Sequence, residues 1–264
     1  MERAASLGQE NPGAEDWIAQ RQALALAYTG QAKKAREMSR HATDLAQQGA
    51  HRERAALFEA GAALREAFLG NAPESMRRST AALELAKDRE VQYGAAFALA
   101  LSGDSARAQS MANDLEREYP EDTSVKFSYI PALRAMLALN EGEPAKAIEL
   151  LQIAVPYELA APRSSLQGVF GALYPIYVRG EAYLAARQGA EAAAEFHKIM
   201  DHRGIVLSDP IGALVHLQLG RAYAMAGDTG NAKAAYHDFL TLWKDADPDI
   251  PVYQEAKAEY DGLR

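Results

Sequence analysis

A short pattern recurs along the chain: a glycine closes an apolar helical run, and five residues later an alanine opens another. The copies are Gly30 with Ala35, Gly103 with Ala108, Gly142 with Ala147 and Gly227 with Ala232. Gly70 with Ser75 is a weaker copy, and Gly189 belongs with a shortened spacing. Successive glycines lie 40, 33, 39, 47 and 38 residues apart. Periods of this length mark stacked supersecondary units. Each glycine sits between stretches with apolar residues at helical spacing, such as Ala108, Ala112 and Leu115. The unit is therefore helix, tight turn, helix, repeated about six times. Glycine permits positive φ in the turn, and the small residue lets the second helix approach the first closely.

Composition agrees with an all-α chain. The 264 residues include 55 alanines and few β-branched residues, a mix that favours helix and starves strands. There are no cysteines, which excludes disulfides, thiolate metal sites and a cysteine nucleophile. The net charge of −8 opposes nucleic-acid binding. Residues 1–90 carry 13 basic and 13 acidic side chains, so the acidic excess lies in residues 91–264. The most apolar stretch, Tyr93 to Leu101, is far short of the ~20 residues of a spanning helix, and no membrane insertion is expected. The opening Met1 to Gly13 lacks signal-peptide features and reads as a disordered or truncated start. The compartment, cytoplasmic or periplasmic, stays open.

Local signals set the phase. Asn71, Pro73 and Glu74 have capping-box spacing, and Asp209 with Pro210 reads as a cap and first helical residue. Pro120 ends a unit, whereas Pro131 and Pro175 should kink or delay the first helices of the fourth and fifth units. Inserts are expected at 153–165 and 202–209. After a turn containing KDADPDIP, a last helix from about Val252 to Leu263 should cover the exposed end of the core. The organisation expected is residues 1–13 as the loose start, 14–90 as two degenerate hairpins, 91–245 as four hairpins, and 246–264 as turn and capping helix.

The last two units carry Gly180, Tyr183, Ala192 and Phe196, then Gly220, Tyr223, Ala232 and Tyr236. These resemble positions 8, 11, 20 and 24 of the tetratricopeptide repeat, a unit of about 34 residues. The third and fourth units keep the turn glycine and the later alanine but place Ala96 or Ala135 where glycine is usual. The resemblance implies a right-handed α-solenoid of about six such hairpins with a C-terminal capping helix. More narrowly, Tyr174 to Arg264 resembles the C-terminal repeat region of acidobacterial serine/threonine protein kinases and winged-helix regulators. That implies a sensing or interaction region of a larger signalling protein. No kinase motif is present here, so no kinase activity carries over to any residue.

Motifs for chemistry are weak. His197, Asp201 and His202 lie near one helix end, but no third strong ligand follows from the spacing. Asp245, Asp247 and Asp249 alternate like a calcium loop, yet Ile250 stands where glycine is needed and Ala256 where glutamate is. GDTGNAK at Gly227 lacks phosphate-loop spacing, and Ser164 with Ser165 has no implied histidine. Arg77, Arg78, Ser79 and Thr80 read as a basophilic kinase target, but the repeat register buries Ser79. Neither cofactor, metal nor enzyme activity is expected. In stacked hairpins the first helices line a concave groove. The register places Tyr93, Phe97, Tyr129, Met136, Tyr174, Tyr177, Glu181 and Arg221 there, a groove suited to a protein or peptide partner. The other reading of this register buries those tyrosines against neighbouring units. A different class of function, a small-ligand sensor, would use a pocket of Tyr157, Tyr174 and Arg163 at the fifth unit's inserts.

Overall fold

A computed structural model describes residues 13–160, 164 and 169–263, and among them it is all-helical. The loose start expected for residues 1–13 lies outside them except for Gly13. Six helical hairpins follow in order. They are α1 (Glu15–Tyr28) with α2 (Ala32–Gln48), α3 (Arg52–Phe68) with α4 (Ala72–Leu85), and α5 (Arg89–Leu101) with α6 (Ser105–Glu118). Then come α7 (Ile130–Asn140) with α8 (Pro144–Leu150), α9 (Tyr174–Ala185) with α10 (Gly189–Asp201), and α12 (Ile211–Met225) with α13 (Thr229–Leu242). A one-turn helix, α11 (Arg203–Val206), joins the fifth hairpin to the sixth, and α14 (Pro251–Gly262) follows the last. The two helices of each hairpin pack on each other, and each hairpin packs on the next.

The turn glycines Gly30, Gly70, Gly103, Gly142 and Gly227 all have positive φ, between 74° and 85°. Gly189 does not, because it opens α10 and Arg187 takes the left-handed position at φ 63°. That is a correction to the sequence reading, and Gly189 is small for another reason: an added Cβ would meet the Ala222 carbonyl oxygen at 2.6 Å. The small residues that open the second helices, Ala35, Ser75, Ala108, Ala147, Ala192 and Ala232, are all buried. Gly180 and Gly220 sit directly against the rings of Phe196 and Tyr236, where a Cβ would lie 2.5 and 2.7 Å from ring carbons. The spacing of glycine and aromatic in these units is thus a packing contact between the two helices of one hairpin.

Proline acts as expected at helix starts. Pro131 and Pro175 fall in the first turns of α7 and α9, and a π-helical turn, Val125–Tyr129, precedes the former. Asp209 Oδ1 accepts from the Ile211 amide at 3.2 Å. Asn71 occupies the N-cap of α4 without making the capping bond; its side-chain amide donates to Glu66 Oε2 at 2.7 Å instead. The insert expected at 153–165 lies partly outside the described residues; among those described, a 3-10 helix, Gln152–Tyr157, opens it, and the stretch just before the fifth hairpin, Val169–Leu173, is buried.

The ends of the array meet. Trp243 Nε1 donates to the Tyr28 carbonyl at 3.0 Å, the Asp247 amide donates to the Gly30 carbonyl at 3.0 Å, and Asp247 Oδ2 accepts from the Lys33 amide at 2.8 Å. Lys33 Nζ reaches Asp249 at 3.1 Å. Two of the three aspartates that alternate like a calcium loop, Asp247 and Asp249, therefore fasten the last loop to the first turn. Most of the apolar core forms one continuous cluster from Ala32 to Ala256.

Candidate functional site

Six of the eight expected groove side chains, Tyr93, Phe97, Tyr129, Met136, Tyr174 and Tyr177, are buried. This corrects the reading of an open aromatic groove, and the physical reason is visible in the packing. Tyr93 stacks on Tyr129 at 3.8 Å, Phe97 on Tyr174 at 5.1 Å, and Phe68 meets both Tyr174 and Tyr177 edge-on. The chain itself fills the remaining space: Val169 and Phe170 press against α3 at Gly61, and Phe170 also against α5 at Gly94. Aromatic side chains facing one another across such an interior gain more from mutual burial than from water.

The last two expected residues are half-buried and paired. Arg221 donates to Glu259 of α14 at 2.7 and 2.9 Å and to Glu255 at 3.3 Å. Glu181 accepts from Gln218 at 3.1 Å, and burial pushes its carboxyl up to about 7.

Polar groups within the interior are satisfied unevenly. Tyr129 donates to Glu90 Oε2 at 2.5 Å. Tyr174 donates to Asp209 Oδ2 at 3.1 Å, and burial holds the Asp209 carboxyl at about 7 in spite of that bond and of the Ile211 and Gly171 backbone. Arg65, buried on α3, donates through Nη2 to Ser39 at 2.5 Å, and desolvation lowers its pKa to about 10. Its Nη1 and the Tyr93 hydroxyl have no hydrogen-bond partner among the described residues. A second buried ionic group joins α3 and α4, where Arg78 spans Glu59 at 3.0 Å and Glu74 at 2.9 Å.

On the surface, the first insert stands out. Ile153, Val155, Tyr157 and Leu159 are 50%, 43%, 41% and 48% exposed, four of the six most exposed large apolar side chains among the described residues. Tyr157 stacks on Phe127 at 4.2 Å. The segment is pinned from behind, because Glu158 accepts from Arg179 at 2.6 Å and Lys198 at 3.3 Å, and Arg179 also holds Glu195 at 2.6 Å. In IAVPYEL every second side chain is large and apolar, and a 3-10 helix, with three residues per turn, spreads them around its axis so that they cannot all be buried against one neighbour. Elsewhere, an open cleft of about 540 Å³ lies between the ends of α1, α3 and α5, lined in part by Trp17, His51, Arg54 and Asp88.

The other sequence candidates disperse. His197 Nε2 meets the Tyr223 hydroxyl at 2.6 Å, and His202 Nδ1 lies 2.7 Å from the Lys198 carbonyl. No cluster of three metal-ligating side chains occurs among the described residues. Ser79 is buried with its hydroxyl on the Ser75 carbonyl at 2.9 Å, whereas Thr80 is exposed. Ser164 is buried 3.4 Å from the Tyr129 hydroxyl, and Ser165 lies outside the described residues. Of the proposed sensor pocket, Tyr157 lies on the surface against Phe127 and Tyr174 is buried against Phe68 and Phe97; Arg163 is outside the described residues. No helix among the described residues is long and apolar enough to cross a membrane. No model of a known protein family matches the chain, and no curated protein is similar to it.

Proposed function

We propose that the protein is a non-catalytic helical-repeat scaffold, a right-handed solenoid of hairpins like those of the tetratricopeptide repeat, that binds a protein partner through its first insert. One observation carries this: Ile153, Val155, Tyr157 and Leu159 are exposed on and just after a short 3-10 helix, Gln152–Tyr157, and the following Glu158 is held by buried Arg179. Clustered apolar side chains on an otherwise polar surface mark interaction sites, and a strip fixed in place loses little entropy on binding. The placement in a larger bacterial signalling protein rests on the resemblance of residues 174–264 alone.

The test is a pull-down from host lysate with wild type and the double variant Ile153→Glu, Leu159→Glu, followed by titration of each recovered partner. Both positions are half-exposed, so folding should be unaffected and binding should fall by roughly tenfold to a hundredfold, the ~1–3 kcal/mol of an interface anchor. A partner bound equally by the double variant would refute the strip as the docking surface.

A further inference from the structure

Glycine in the interior of a helix is less favourable than alanine by ~1 kcal/mol. Gly61 lies in the middle of α3 and Gly94 in the middle of α5, and neither has positive φ. Both face the same segment. A Cβ on Gly61 would lie 2.6 Å from Val169 Cγ1, and one on Gly94 would lie 2.6 Å from Phe170 Cζ. The two helices thus form a cradle in which a branched aliphatic and an aromatic side chain sit side by side against bare backbone.

The segment that fills the cradle fits it imperfectly. Its exit requires left-handed backbone at Gly171, φ 96°, and at Leu173, φ 58°, where a side chain is strained. Two buried donors beside it are unpaired among the described residues: Arg65 Nη1, 3.5 Å from the Cβ position of Gly61, and the hydroxyl of Tyr93, whose ring lies 6.5 Å from that of Phe170. A buried donor with no acceptor is costly, so a ligand that brings an acceptor gains what the resident segment does not.

We propose that the cradle between α3 and α5 is a peptide-binding site occupied in this structure by the chain's own Val169–Phe170–Gly171. A partner segment with a branched aliphatic, an aromatic and a glycine in succession, and a carboxylate or amide oxygen near the ring, takes the same place. This site is separate from the surface strip. It deepens the reading of the protein as a peptide-binding scaffold by giving the chemistry of a second ligand and a contact that excludes it until displaced.

The experiment uses the full chain with Phe170→Ala and a labelled synthetic peptide with the sequence of residues 164–175. The expected result is a folded variant that binds the peptide at least tenfold more tightly than wild type, read by fluorescence anisotropy. The same peptide with alanine for its phenylalanine should not bind. A folded Phe170→Ala chain that ignores the peptide overturns the proposal, as does equal binding to wild type, which would place the peptide elsewhere. Loss of helical circular dichroism in Phe170→Ala also overturns it, since the segment would then be indispensable core. If wild type self-associates in sedimentation and the variant does not, the occupant is a second copy's segment and the partner reading fails. The strip variant Ile153→Glu should leave peptide binding unchanged, so the two surfaces fail separately.

Discussion

Replacing Gly30 with alanine tests whether the ends of the array are truly fastened together. Five turn glycines share nearly the same backbone, and at Gly103, Gly142 and Gly227 an added Cβ would meet nothing within 4 Å. There the substitution carries only left-handed strain, about 1–2 kcal/mol. At Gly30 the same atom would lie 2.5 Å from Ala246 Cβ and 2.9 Å from two ring carbons of Trp243. Trp243 is packed at 4.7 Å from Phe239 and tied to the Tyr28 carbonyl, so it cannot swing away without losing that bond. Overpacking of this kind typically adds about 1–3 kcal/mol. The comparison of Gly30→Ala with Gly103→Ala cancels the shared backbone strain and leaves the contact with the last loop. Urea unfolding followed by circular dichroism should show Gly30→Ala less stable by that difference, or about 2–4 °C in Tm for each kcal/mol in a chain of this size. Equal destabilisation of the two variants would refute the docking of residues 243–247 on the first turn.

Two further outcomes follow from the packing and from the buried carboxyls. Ala232→Leu should cost about 1–3 kcal/mol in urea unfolding because Ala232 is buried, whereas Ala234→Leu, exposed on the same helix, should stay within about 0.5 kcal/mol; similar losses would mean the repeat register is misplaced. Asp209 and Glu181 both have carboxyls raised to about 7 by burial, so the folded chain holds their protons more tightly than the unfolded chain does. Their contribution is complete below about pH 4 and declines as pH rises to about 7. Asp209→Asn should flatten the pH dependence of the denaturation midpoint between about pH 4 and 7, and an unchanged slope there would place the titration elsewhere.

The hairpins were legible because a left-handed turn followed by a close helix crossing restricts residue type at both positions, and Gly30 to Ala35 and its copies meet that demand. Gly189 misled because glycine serves either a turn or a close approach, and here Arg187 takes the turn. The tyrosines at 93, 129 and 177 were assigned by helix face alone, which says which way a side chain points and not what stands opposite. The missing partner was the segment Val169–Leu173. Its signal lay in composition: Val169, Phe170 and Leu173 are too apolar for a solvated connection, and Gly61 and Gly94 are unexplained within helices unless something presses on them. Ala246 is half-buried because it touches the first turn, a contact 216 residues away along the chain that no local pattern encodes.

Open helical arrays tolerate the gain or loss of a unit, since each one contacts only its neighbours and a new copy simply lengthens the stack. Here Trp243 must reach the Tyr28 carbonyl and Asp247 the Lys33 amide. Inserting or deleting one hairpin between them would rotate and translate the last loop away from the first turn, and both ends would be left with unpaired polar groups. The closure therefore couples the six described hairpins in number: a variant that gained or lost one would have to give up the contacts of Trp243 and Asp247 with the first turn.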